Sequence, residues 1–378
     1  MVEFHRIHRH RFKDLMKTGL SLPIIISPGL VSLFHQTIPF AATRAFAQPL
    51  GRLIPARLAT VKGFGLFFHY TATCVSVRIE PWLMIMNHTI KAAAIHGFIS
   101  LIYRKLPMID YHIHTPLCNH AQGSMKAYIH QAISLGFSEI CFLDHLILDG
   151  PGKKNSMDIR EVPLYMQAIA CLKHEFHDRI TLRAGLEVDF IPEKIPQIKD
   201  ILEGFNFDVI GASVHFVMGY NVASRREAPP KDLFDKQEIA LRYFEQLDRM
   251  LDYDFFDVIC HPDIVKKCGI PIPENCGPVI DDILTRISKK NLTLEFNAGG
   301  WDHPVGDSYP SEELAIKCHQ KNIAFTLGSD AHRPEHVGKN IDKSVALLKK
   351  IGYTHVNTFE GRLVRPVPLG MVKCPILS

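Results

Sequence analysis

The spacing Cys-x-x-Cys is absent from this chain of 378 residues, although it contains 9 cysteines. Zinc ribbons and dithiol redox pairs are thereby excluded. Cys118, Cys141 and Cys260 instead lie beside polar residues with metal-ligand chemistry, where disulfides would serve little purpose, so a reducing cytoplasm is expected. No uninterrupted apolar run approaches the roughly 18 residues of a membrane-spanning helix. The longest candidate, 92–103, is broken by His96 and runs into Arg104 and Lys105. Low-complexity tracts and internal sequence repeats are also lacking. Acidic residues are almost missing from positions 1–107: Glu3, Asp14 and Glu80 stand against 13 Lys plus Arg, giving 13 − 3 = +10. The remainder holds 43 − 13 = 30 basic and 39 − 3 = 36 acidic residues, giving −6.

This charge split divides the chain into a basic extension, 1–107, and a body, 108–378. The extension has apolar patches without regular alternation of elements. Three readings of it are open: a region upstream of a native start at Met108, an accessory or anchoring segment, or a targeting peptide. It carries no recognisable nucleic-acid-binding motif. The acidic body lacks the basic tracking surface that a processive nuclease needs. A small-molecule partner is therefore expected rather than nucleic acid, and the oligomeric state is left open.

Histidine is what the body does have. His112 and His114 flank Ile113 in a β-type apolar pattern, and period-2 alternation puts both imidazoles on one face of a strand. His120 follows after a Pro-containing loop. The same theme recurs down the chain. Short apolar runs at 139–143, 181–186, 207–214, 257–260, 292–296 and 323–327 end in His145, Glu187, His215, His261, Asn297 and Asp330 with His332. Between them lie helix-like segments at 124–135, 162–177, 194–202, 235–251, 278–289, 311–320 and 340–350, with Ser124 and Ser311 as caps. Leu241, Phe244, Leu247 and Leu251 illustrate the helical spacing. Alternation of strand and helix predicts parallel strands covered by helices, with functional groups gathered at the carboxyl ends of the strands.

Nine residues occupy that position: His112, His114, His120, His145, Glu187, His215, His261, Asp330 and His332. A lone histidine is more often an ordinary core or surface residue, and His130, His174, His177, His319, His336 and His355, on helices or between elements, are read as structural or solvated; His303 is ambiguous. Nine donors exceed the three or four that one zinc ion takes. Seven imidazoles and two carboxylates suit two or three divalent Zn, Fe or Mn ions rather than Ca or Mg.

At these residues the chain, from Met108 to about Gly370, resembles the polymerase-and-histidinol-phosphatase (PHP) superfamily, and within it the monofunctional histidinol phosphatases. The resemblance rests on Asp110 to Ala121, Asp144-His145, Gly185 to Asp189, Ser213-Val214-His215-Phe216, His261-Pro262-Asp263 and Gly328 to Glu335. It implies a distorted seven-stranded (β/α)7 TIM-like barrel, with the extension preceding it. It also implies a trinuclear centre: His112, His114, Glu187 and Asp330 on one ion, Glu187 bridging to a second held by His215 and His261, and His120, His145 and His332 on a third. The implied activity is hydrolysis of L-histidinol phosphate in histidine biosynthesis, by a hydroxide held between ions, with Asp330 or a ligated water serving the leaving alkoxide. Alternatives are action on another small phosphomonoester or on phosphodiesters, and a non-catalytic metal-binding protein.

The chain departs from the family in one loop. After Asn297, Asp302 and His303 stand where a basic residue is expected. Lys266, Lys267, Arg225 and Arg226 are candidates to take over the anion, or are solvated surface charges. Asp302 is a candidate partner for the substrate ammonium.

Overall fold

Seven apolar segments pair edge to edge into one parallel sheet, the arrangement that alternation with helices predicts. The computed structural model describes residues 108–227 and 236–369, together with four short strands of the extension. The barrel strands are β1 (Ile109–Ile113), β2 (Glu139–Leu146), β3 (Thr181–Asp189), β4 (Val209–Ser213), β5 (Val258–Ile259), β6 (Thr293–Asn297) and β7 (Phe325–Gly328). They run in sequence order across the sheet. The carboxyl end of β1 meets the residues after β7, where Ile113 bridges Ala331. There the His114 N–H donates to the Ala331 carbonyl at 3.0 Å and the Ala331 N–H to the His112 carbonyl at 3.1 Å. The sheet thereby closes into the expected seven-stranded barrel.

Seven helices cover it: α1 (Met125–Leu135), α2 (Val162–Glu175), α3 (Ile195–Glu203), α4 (Lys236–Met250), α5 (Gly277–Lys290), α6 (Glu312–Gln320) and α7 (Ile341–Ile351). Ser124 and Ser311 cap α1 and α6 as expected, accepting from the N–H groups of Ala127 and Leu314. In α4, Phe244 and Leu247 are buried with Ile239, Tyr243 and Met250, while Leu241 is only partly buried. The strands are buried on both faces, so their side chains alternate between the helix layer and the barrel interior.

Several boundaries differ from the sequence reading, two of them for local reasons. β5 is two residues long because His261 leaves the extended region, with φ +26. The third helix is preceded by a separate 3-10 turn at Pro192–Lys194. A larger difference lies after α7. A hairpin of β8 (His355–Glu360) and β9 (Leu363–Pro368) reaches the amino ends of the strands. Phe359 donates its N–H to the Tyr111 hydroxyl at 2.8 Å, and Arg362 pairs with Asp257 and donates to the Phe255 carbonyl at 2.6 Å. His355, expected outside any strand, is an exposed residue of β8. Arg362→Ala strands the largely buried Asp257 carboxylate and is expected to destabilise the fold by about 1–3 kcal/mol. Thermal or urea unfolding measures this, and kcat/KM at permissive temperature should stay within about threefold of the parent.

Contacts divide the chain into Met1–Arg104 and Lys105–Ser378. In the first unit, Pro23–Ile24, Cys74–Ile79, Leu66–Thr71 and Ala59–Thr60 form an antiparallel sheet in that order. The expectations about the role and authenticity of 1–107 otherwise lie outside the described residues. Among those residues, no helix is long and apolar enough to cross a membrane.

Candidate metal centre

Glu187 is the hub of the site, and the register of the sheet puts it there. It sits opposite His145 on β2 and Gly211 on β4. Its side chain is fully buried among imidazoles. Oε2 lies 2.7 Å from His145 Nδ1 and 3.3 Å from His112 Nε2; Oε1 lies 2.7 Å from His261 Nε2 and 3.3 Å from His215 Nε2. The Ser213 hydroxyl donates to Oε1 at 2.5 Å. Asp330 stands on the other side of the β1 histidines, with Oδ1 3.1 Å from His114 Nε2.

The nine expected residues converge on one locus. Neighbouring imidazole centroids are 4.0 Å apart for His114 and His332, 4.2 Å for His114 and His145, 4.6 Å for His120 and His332, and 5.0 Å for His215 and His261. His112 lies 4.9 Å from His114. His120 is the exposed member of the group. Two of the turns that aim these groups use the left-handed region, with φ +57 at Asp330 and +26 at His261. Such strain concentrates at functional positions.

Most rings are oriented from behind by an oxygen acceptor. Nδ1 of His112 lies 2.6 Å from Glu295 Oε1, Nδ1 of His114 3.3 Å from Asp144 Oδ1 and Nδ1 of His215 3.3 Å from Asp189 Oδ1. Nδ1 of His120 lies 2.8 Å from the Cys118 carbonyl, and Nδ1 of His332 3.0 Å from the Asp330 carbonyl. In His112, His114, His120 and His332 an oxygen that only accepts makes Nδ1 the donor, so Nε2 of each keeps its lone pair for the interior of the site, while His215 Nδ1 lies near Asp189 without a hydrogen bond. This is the second layer of a metal site, and the sequence reading missed it. Asp144 and Asp189 lay inside quoted motifs without a role. Glu295 was not singled out, though an acid inside the apolar run 292–296 was the available signal.

A cation fits this donor set. His112 Nε2, His145 Nδ1, His332 Nε2 and Glu187 Oε2 are buried atoms without a hydrogen bond. Leaving such groups unpaired is costly. Ligand atoms of His112, His114 and Asp330, and of His114, His145 and His332, lie within 4.8 Å of one another. Burial and the charge of His145 push the His114 imidazole down to about 3; burial and nearby imidazoles also lower His332 and His120. Neutral imidazole is the form that binds metal. Against the pull of burial, Glu295 and Glu187 hold His112 well above the usual histidine range, and Glu187 and Asp189 raise His215 to about 10. Burial alone would raise Glu187 and Asp330, but the surrounding imidazoles hold both well below the usual carboxylate range.

Gly328 makes the second layer possible. A Cβ there would lie 2.0 Å from Glu295 Oε1 and 2.6 Å from His112 Cβ. Gly328→Ala is therefore expected to displace Glu295, destabilise the protein by about 1–3 kcal/mol and lower its metal content. Calorimetry with elemental analysis tests this; a fully metallated, equally stable variant would contradict it.

A cavity of about 910 Å³ opens over the centre. Its walls include Arg225, Arg226, Lys267, Asp302, His303, His336 and Lys339. His336, read from sequence as structural or solvated, is thus a wall residue. Arg225, Arg226 and Lys267 make no ion pair among the described residues, whereas Lys266 is buried against Asp263 and Asp307. Of the four candidate cations, Lys266 is therefore unavailable to an anion. Asp302 lies 2.9 Å from Lys339 Nζ and 3.3 Å from Asn340 Nδ2, so a substrate ammonium would have to compete with these partners for it. Burial and the nearby Lys267 push the His303 imidazole below its usual range.

The PHP domain pattern matches residues 110–299, the stretch from the first ligand strand to the β6 loop. The chain belongs to the PHP-domain family. It is 31% identical over 263 residues to a Deinococcus radiodurans protein named "Probable histidinol-phosphatase", covering 68% of this chain and 99% of the relative. It is 28% identical over 260 residues to a Lactococcus lactis histidinol-phosphatase, covering 67% and 94%. The Lactococcus lactis histidinol phosphate phosphatase solved with Zn, L-histidinol and phosphate superposes with a TM-score of 0.61 at 25% identity, covering 68% of this chain and 98% of that one. The PHP barrel, implied by the resemblance, and metal binding, expected from the ligand pattern, agree with these relatives.

Proposed function

We infer that the PHP body hydrolyses L-histidinol phosphate to L-histidinol and phosphate, as part of histidine biosynthesis. The observation that carries the reading is the convergence of seven imidazoles and two carboxylates under one cavity, in a chain that matches a histidinol-phosphatase over 99% of the relative's length. Residues 108–378 are proposed as the metallophosphatase domain, working in the cytoplasm; the buried free thiols of Cys118, Cys141 and Cys260 support a reducing compartment.

The ligand sets follow the motifs: His112, His114, Glu187 and Asp330 for one ion, Glu187, His215 and His261 for a second, and His120, His145 and His332 for a third. Zn, Fe or Mn bound there supplies Lewis acidity and neutralises phosphoryl charge. The chain's own groups do the rest. Glu295, Asp144 and Asp189 fix the rings. Arg225 and Lys267, without carboxylate partners among the described residues, draw the phosphoryl oxygens into the cavity. Asp330 or a ligated water serves the leaving alkoxide; the Asp330 carboxylate is placed for this, bordering both the ligand cluster and the cavity.

Steady-state kinetics test the substrate. kcat/KM for histidinol phosphate should exceed that for p-nitrophenyl phosphate by at least about 100-fold, the discrimination that paired polar contacts can supply. The gene should also restore growth without histidine to a strain lacking this step. Equal turnover of both esters together with failed complementation would reduce the reading to a PHP phosphoesterase of another substrate.

A further inference from the structure

Asp263 belongs to the His261-Pro262-Asp263 motif yet binds nothing in the metal centre. It is completely buried, and its Oδ2 accepts the Ser311 N–H at 2.9 Å and lies 2.9 Å from Lys266 Nζ. Lys266 Nζ also donates to Asp307 Oδ2 at 2.8 Å and to the Ser308 carbonyl at 2.7 Å. An ammonium has three N–H donors; two of them go to these Asp307 and Ser308 oxygens, and the Asp263 carboxylate stands within ion-pair distance of the same Nζ. The same Nζ lies 5.3 Å from the centre of the Tyr309 ring. Its side chain is 11% exposed, so water screens these bonds little.

Two partners of this ammonium, Asp307 and Ser308, lie on the strap that follows β6, residues 298–311. Tyr309 pairs with Asn297 through both backbone bonds, at 2.6 and 3.0 Å. The Asn297 side chain in turn accepts from the Gly299 N–H at 2.9 Å and reaches Glu295 at 3.2 Å. Gly299, Asp302 and His303 of the strap form part of the cavity wall. At its start the strap is held by the backbone, where the Ala298 N–H donates to the Gly328 carbonyl at 2.8 Å. Of its two ion-paired tethers, Asp302 with Lys339 joins side chains 37% and 44% exposed, where an ion pair holds weakly, and the Lys266 one is the more buried.

We propose that Lys266 is a positioning residue for the substrate wall: its ammonium, held between Asp263, Asp307 and the Ser308 carbonyl, staples the β6 strap to the β5 loop and thereby sets Gly299 and His303 against the cavity. The two adjacent lysines thus divide the work, Lys266 fixing the wall and Lys267 facing the cavity. The proposal rests on the cavity being a phosphomonoester site but not on which ester it takes.

The test uses the full metal-loaded chain with Lys266→Met and, as a milder change at a partly exposed position, Asp307→Asn. Amide exchange at Asn297 and Tyr309 should quicken by about 100-fold in Lys266→Met, with the α1 amides unchanged. KM for the better of histidinol phosphate and p-nitrophenyl phosphate should rise about tenfold while kcat stays within about threefold. Asp307→Asn should show the same split, smaller. Exchange that is unchanged, that quickens throughout the barrel, or that quickens in the strap without a change in KM, overturns the proposal. A parent enzyme that prefers p-nitrophenyl phosphate overturns the substrate assignment alone, because the staple is then read on that ester.

Discussion

Replacing Glu187 with Gln is expected to lower kcat/KM by about 10²–10⁴, the equivalent of the roughly 3–5 kcal/mol lost when one partner of a buried charge cluster is removed. The change preserves size and shape, so packing is not its cause. Glu187 is fully buried and is the carboxylate within 3.3 Å of His112, His145, His215 and His261 together. Its charge offsets cations that would otherwise repel one another across the site. The amide has no charge to offer, and its NH2 would face imidazole lone pairs and cations. Metal content by elemental analysis should fall with the activity. A Glu187→Gln enzyme that retains its metal and at least one tenth of its kcat/KM would remove Glu187 from the hub.

The residues that converge on the site were legible in the sequence because of a contrast that parallel strands create. A strand buried on both faces is apolar throughout, so His145, Glu187, His215, His261 and Asp330 stand out where each run ends. His112 and His114 were legible by period 2. The second layer was harder to read. Asp144 and Asp189 adjoin the ligand positions and read as part of them, and Glu295 reads as an interruption of β6 until Gly328 is seen to leave room for it beside His112. Local pattern does not distinguish Lys266 from Lys267 either. Their separate fates depend on Asp263 and Asp307, the second of which is 41 positions away from Lys266. The β8–β9 hairpin escaped for a similar reason: its exposed, mixed segment at Leu363–Pro368 has no face pattern of its own and is held by Arg362 and Phe359 against the barrel.

Chelation is expected to reduce phosphatase activity below about 1% of the starting value, and readdition of Zn or Mn should restore it, because the protein's own groups lack a Lewis acid for a dianionic ester. The fold should survive. The barrel core is a continuous apolar cluster involving every strand and most helices, and it does not depend on the centre. Apoprotein should therefore unfold cooperatively at a lower temperature, with the difference set by metal concentration over its dissociation constant. The number of ions follows from the extent of the donor set. A tetrahedral ion takes four ligands, whereas this site spreads from His215 and His261 on one flank of Glu187 to His120 and His332 on the other side of His114. Elemental analysis of the active protein should find two to three transition-metal ions per chain. A single tightly held ion in a fully active enzyme would confine the chemistry to one flank and leave the remaining imidazoles without a catalytic role; activity that persists after exhaustive chelation would defeat the metallophosphatase reading outright.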